Sequence, residues 1–352
     1  MATTTTLNQV ASHSQTVQRK HGHFFHIKRG LLALVILLVA LPTAGFLYET
    51  VMAAGDAQRF PAPGRLVSVD GHQMHIRCVG EGGPTVIFEP GLGGWSDSWS
   101  RVQPAVGTFT RACSYDHAGL GWSEPSNQPR TQAQIATELH DLLAAAHIQP
   151  PYILVGQSMG GKSVRLFAAQ YPEEVAGMVF VDARHESVEP TNPTPEQIAS
   201  NQAAFEGSLN TYRILRLVGG RLFAVPLARM IEPSLKTLPD EVVYQQAVFA
   251  AREQTLQTEA AESRESTAND DQLRAAVVPR NLPVFVLSAD ASLAGWDVWK
   301  IGQQHLAALS SNSQWLIVKN SSHHIEVDQP QTIIDAVQQV LVAAQTGKPL
   351  VQ

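Results

Sequence analysis

The chain has 352 residues, enough for one large domain or a core domain carrying an insertion. Its net charge of −6 is unevenly placed: residues 1–30 hold Arg19, Lys20, Lys28 and Arg29 and no acid, +4, which leaves −10 on the rest. An acidic body argues against nucleic acid as the partner, because phosphate binding needs a basic face. The first 30 residues, rich in Thr, Gln and Ser, have little to bury and are expected to form a disordered basic tail. Residues 31–48 follow as an apolar run. No charge appears between Arg29 and Glu49, a stretch of 19 residues. As a helix it would measure about 28 Å, close to the hydrocarbon thickness of a bilayer. The basic flank predicts a transmembrane anchor whose N-terminal end stays cytoplasmic, with the bulk of the chain on the extracytoplasmic side. A cleaved signal sequence, and hence a secreted protein, is the alternative. The long leading segment and the lack of a strict Ala-x-Ala between residues 40 and 57 favour the anchor.

Residues 49–64 are polar and proline-bearing and read as a linker. Residues 65–70 and 72–79 flank Gly71 as a hairpin. Short strands follow at 84–89 and 110–115. Residues 131–146 have helical periodicity, with Ile135, Leu139, Leu142 and Leu143 on one face. Two more strands, at 152–156 and 175–181, flank a helix stopped by Pro172. Such alternation predicts an α/β fold with a mostly parallel central sheet covered by helices on both faces. From residue 186 the character changes: prolines and helical stretches, the longest near 241–265, replace the strands until about 278. The parallel pattern resumes at 282–287 and 314–318 and closes with a helix at 332–344. The expected organisation is therefore a core of 65–185 and 279–352 carrying a helical cap of 186–278.

The run Ile153-Leu154-Val155-Gly156-Gln157-Ser158-Met159-Gly160-Gly161 has the form of a nucleophile elbow, a buried strand breaking into a Gly-x-Ser-x-Gly turn before a helix. Three other stretches accompany it: Glu89-Pro90-Gly91-Leu92-Gly93-Gly94, Tyr115-Asp116-His117-Ala118-Gly119-Leu120-Gly121-Trp122-Ser123, and Ser322-His323-His324 followed by Asp328-Gln329-Pro330. In this order they resemble the α/β-hydrolase superfamily over nearly all of residues 65–345, and within it a membrane-anchored, bacterial-type serine hydrolase of the esterase or lipase kind with a helical cap.

The resemblance implies a Ser-His-acid triad. Ser158 is the expected nucleophile, and it needs a base because a neutral hydroxyl attacks poorly. His323 takes that role, seven residues before Pro330, with His324 as the alternative. Two carboxylates compete for the third position: Asp182, which ends the strand after the elbow helix, and Asp290, which follows the strand at 284–287. The backbone N–H groups of Leu92 and Met159 are the expected oxyanion donors. Trp95, Trp99 and Trp122 either line an acyl pocket or pack the cap on the core. Phe205, Leu215, Leu217 and Phe223 in the cap carry the same two readings, with core packing ahead of pocket lining.

Neither a zinc-type ligand spacing nor a cofactor motif occurs, so no metal or organic cofactor is expected. In this fold Cys78 and Cys113 lie on neighbouring strands, and outside the cytoplasm a disulfide between them is permitted. The expected substrate is a small-molecule ester or related acyl compound, cleaved through an acyl-enzyme on Ser158. The same triad also serves acyltransferases and aminopeptidases, and a catalytically weak binding or signalling module is the reading from another class.

Overall fold

The computed structural model describes residues 4–188, 194–295 and 297–350. Eight strands form one sheet: β1 (Arg65–Val69), β2 (His72–Val79), β3 (Thr85–Glu89), β4 (Ala112–Tyr115), β5 (Tyr152–Gln157), β6 (Val175–Val181), β7 (Val284–Ala289) and β8 (Ser313–Val318). Their order is β1-β2-β4-β3-β5-β6-β7-β8. The β1–β2 hairpin and the β2–β4 pair are antiparallel, and every other pairing is parallel.

Central strands buried on both faces are mostly apolar, and β3, β5 and β7 are wholly buried, with the polar Glu89 and Gln157 at the C-terminal ends of β3 and β5. Successive residues feed opposite faces. Leu154, Met178, Phe180 and Val286 pack on one side with the helices Gln132–Ala145 and Gly160–Gln170. Ile153, Val155, Val179 and Leu287 pack on the other with Pro330–Thr346. The helix Gln132–Ala145 starts where Thr131 caps the N–H of Gln134, and it buries Ile135, Leu139, Leu142 and Leu143 as its periodicity predicts.

Cys78 stands directly opposite Cys113 in the antiparallel β2–β4 register, and the two are joined as a disulfide closing a separation of 35 residues. Alkylation of the native, unreduced protein is expected to modify neither thiol. Reduction is expected to cost about 2–4 kcal/mol of stability by urea titration, because the bond restricts the unfolded chain. Two readily alkylated thiols in unreduced protein would refute the bond.

Between β6 and β7 all described elements are helical: Pro195–Leu217, Ala224–Ile231, Asp240–Ala250, Glu253–Arg264 and Asp270–Ala275, with short 3-10 turns. The single long helix expected at 241–265 is in fact two. The break falls at Arg252, whose backbone is extended, whose guanidinium lies 3.4 Å from the Phe249 ring centre, and whose Nη1 donates to the Gly121 carbonyl. A side chain anchored to the core has overridden helical propensity.

The molecule divides into two compact units, residues 60–209 with 224–352, which hold the sheet, and residues up to 59 with 210–223. The second unit is built on one helix, Thr4–Arg59. The disordered tail expected at 1–30 is helical from Thr4, and the linker expected at 49–64 shrinks to the few residues after Arg59. No proline occurs before Pro42 to stop the helix. Its part Phe25–Arg59 is long and apolar enough to cross a membrane. In the same unit, Arg221 forks between Glu49 and Asp56, with N–O distances of 2.7–2.8 Å. A β-carbon on Gly45 would lie 2.1 Å from the Leu217 carbonyl oxygen, so only glycine admits this approach. Leu217 and Phe223, expected to pack, are exposed.

Candidate active site

The C-terminal ends of β3, β5 and β6 deliver the pieces of the site. β5 runs into Ser158, whose φ is +50°, a left-handed conformation that a serine adopts only under constraint. The constraint is visible on both sides of the turn. The Ser158 N–H donates to the Val181 carbonyl, and its own carbonyl accepts from Arg184 N at 2.7 Å. A β-carbon at Gly156 would sit 2.7 Å from the Gly160 carbonyl oxygen, and one at Gly160 would sit 2.4 Å from that of Pro90. Both glycines are therefore required by close backbone approach.

The turn after β3 closes through Gly94 N donating to the Gly91 carbonyl. It lies against the elbow, since a β-carbon on Gly91 would approach Ser158 Cβ to 3.0 Å. Among the described residues, the N–H groups of Leu92 and Met159 have no hydrogen-bond partner. Met159 immediately precedes the helix Gly160–Gln170, where the partial positive charge of the helix collects.

His323 follows β8. Its Nδ1 lies 2.7 Å from Asp182 Oδ2, and its backbone carbonyl accepts from Gln157 Nε2 at 3.3 Å, tying the histidine loop to the residue before Ser158. The ring is about one-third exposed, whereas Asp182 is fully buried. Asp182 also accepts from Trp299 Nε1 at 3.0 Å, from Ala289 N at 3.2 Å and from Ser292 Oγ. Four donors thus fix the carboxylate, and Trp299 meets the His323 ring edge-on.

Asp290 and His324, the alternatives from sequence, are held elsewhere. Asp290 accepts the N–H groups of Ser321 and Asn320, and those bonds lower its pKa. It braces the loop leading to His323 and does not meet the ring. His324 Nδ1 pairs with Glu326 at 2.8 Å, and its Nε2 lies 3.5 Å from Glu232 on the inserted segment. The bond to Glu326 raises its pKa.

The motif at 115–123 builds a scaffold. The Asp116 carboxylate accepts from Ser96 N and Trp122 N, both at 2.8 Å, and lies 3.0 Å from His75. Gly121 has φ +51°, and any β-carbon there would strike that carboxylate at 2.3 Å. His117 is buried between Glu89 Oε1 at 2.8 Å and Glu262 Oε1 at 2.9 Å, so it clamps the end of β3 to the inserted helix Glu253–Arg264. Burial alone would disfavour the imidazolium, but the Glu262 and Glu89 carboxylates outweigh it and hold the pKa at about 10. Trp99 is core, its ring tilted against that of Phe88 at 4.8 Å, while Trp95 and Trp122 pack on Phe249 of the insert.

Sequence reasoning missed Trp299, Ser292 and Glu262, which carry no local pattern. Gln157 was visible within the elbow itself. Among the described residues, no group of three or more His, Cys, Asp and Glu side chains is arranged to hold a metal.

The α/β-hydrolase fold family matches residues 84–330. An uncharacterised protein of Schizosaccharomyces pombe is 29% identical over 225 residues, 64% of this chain and 40% of that one. The chain thus spans well under half the length of that relative. The uncharacterised protein YqjL of Bacillus subtilis is 26% identical over 290 residues, 81% of this chain and 95% of its own. Among solved structures, a thermophilic esterase from Thermogutta terrifontis superposes with a TM-score of 0.59 at 20% identity, covering 80% of this chain and 99% of that one. The chain belongs to the α/β-hydrolase fold family.

Proposed function

We propose that the protein is a membrane-anchored serine hydrolase that cleaves a carboxylic ester or related acyl bond of a small molecule. The observation that carries this reading is the 2.7 Å pair between His323 Nδ1 and the buried Asp182, on a loop tied by Gln157 to the elbow that presents Ser158. With Nδ1 donating to Asp182, His323 Nε2 is left as the base. Ser158 Oγ forms a bond to the acyl carbon and passes its proton to Nε2. The C–O bond to the leaving alcohol then breaks as that alcohol takes the proton. A water repeats the sequence and releases the acid. The N–H groups of Leu92 and Met159 receive the negative charge that develops on the carbonyl oxygen, each worth about 3–4 kcal/mol in the transition state.

The apolar helix with its basic N-terminal flank and the Cys78–Cys113 disulfide agree on compartment. The first favours a cytoplasmic N-terminus, and the second favours an oxidising setting for the catalytic unit.

A fluorophosphonate probe tests the reaction. The wild-type protein is expected to be labelled, and Ser158→Ala to remain unlabelled while folded. Folded wild-type protein that takes up no probe would favour a binding module instead.

A further inference from the structure

Residues 210–223 carry an unusual surface. Ile214, Leu217, Val218, Leu222 and Phe223 are all exposed, the last two at 65% and 62%. Scattered surface leucines need no explanation, but five large apolar side chains within ten residues form a patch of the kind that marks an interaction site. The patch is placed by its own unit. The backbone at Leu217 packs on Gly45 of the long apolar helix. Gly45 lies three residues before Tyr48, the last residue of the uncharged stretch, so the packing point is about 5 Å inside its end. One turn further on, Glu49 and then Asp56 receive Arg221, so that charge is offset by two carboxylates. Arg216 within the segment and Arg213 just before it are the other cations here, and at headgroup depth such long side chains keep their charged ends in water.

From this arrangement we infer that residues 214–223 insert into the same bilayer as the apolar helix, as a shallow second contact at the boundary between headgroups and acyl chains. The occupant is a lipid surface, because the segment packs, through Leu217 on Gly45, on the helix that is long and apolar enough to cross a membrane. That depth suits it: apolar faces of interfacial segments bury about 5–10 Å into this zone. Exposed Leu222 and Phe223 contribute the apolar area, and the fork of Arg221 onto Glu49 and Asp56 fixes their height against the helix. The inference rests on the anchor reading proposed above.

Full-length protein reconstituted into vesicles tests it. Leu222→Cys, Val218→Cys and Val35→Cys are labelled singly with an environment-sensitive fluorophore, the native cysteines being paired. Labels at 222 and 218 are expected to lose emission to lipids brominated on the acyl chain to an extent comparable with the label at 35, and to resist aqueous iodide. Iodide quenching at 222 and 218, with bromolipid quenching confined to 35, would overturn the second contact and leave the anchor standing. Iodide quenching at all three would overturn both.

Discussion

Asp182→Asn is expected to lower kcat about 10⁴-fold, the loss typical when a triad acid can no longer hold the tautomer and charge of its histidine. The carboxylate accepts from four donors and is fully buried, so an amide in its place turns one donor toward another and leaves a buried N–H unsatisfied. KM is expected to move little, because Asp182 touches the histidine and not the substrate. Asp290→Asn is expected to change kcat by less than about tenfold, since it braces the loop at Asn320 and Ser321 through acceptor oxygens, one of which an asparagine keeps. Parallel ester hydrolysis assays on the two variants decide the matter. Small and equal losses would remove Asp182 from its proposed role.

The second large effect concerns His117. His117→Gln removes the cation held between the buried Glu89 and Glu262, leaving Arg130 at 3.8 Å from Glu262, and is expected to cost about 3–5 kcal/mol of stability. Its pKa is raised from 6.5 to about 10 on folding, so the imidazolium contributes fully below about pH 6.5. The contribution is lost progressively as pH rises towards and through 10. Urea titrations of the wild type at pH 6, 8 and 10 should therefore show falling stability, and the slope attributable to His117 should be absent in His117→Gln. Adding Glu262→Gln to that variant should recover part of the loss by removing one of the two repelling charges. A pH-independent wild type would contradict the clamp.

The elbow was readable because its requirements are local: glycines at 156 and 160 where backbone segments meet, after the apolar run Ile153-Leu154-Val155. The rival acids were not separable by such rules. Asp182 and Asp290 follow adjacent parallel strands paired Val181 to Leu287, so both arrive near the same sheet edge. What distinguishes them is a set of donors from 289, 292 and 299, supplied by the end of β7 and the two helices that follow it, none with a signature of its own. Arg252 illustrates the same limit, since a contact with Gly121, far away in sequence, splits a helix that periodicity reads as continuous. The helical start at Thr4 shows that a polar composition does not by itself exclude regular structure.

The clamp also constrains how such a fold can be re-engineered. Glu262 travels with the inserted segment, whereas Glu89 and His117 belong to the sheet-bearing framework. A chimaera that imports a foreign insert lacking an acid at that point would give the framework a cation shared with only one carboxylate, at the root of the turn that carries Leu92. Grafts that retain the acid should fold more readily than those chosen for surface fit alone, so the insert can be exchanged only in packages that respect this shared cation.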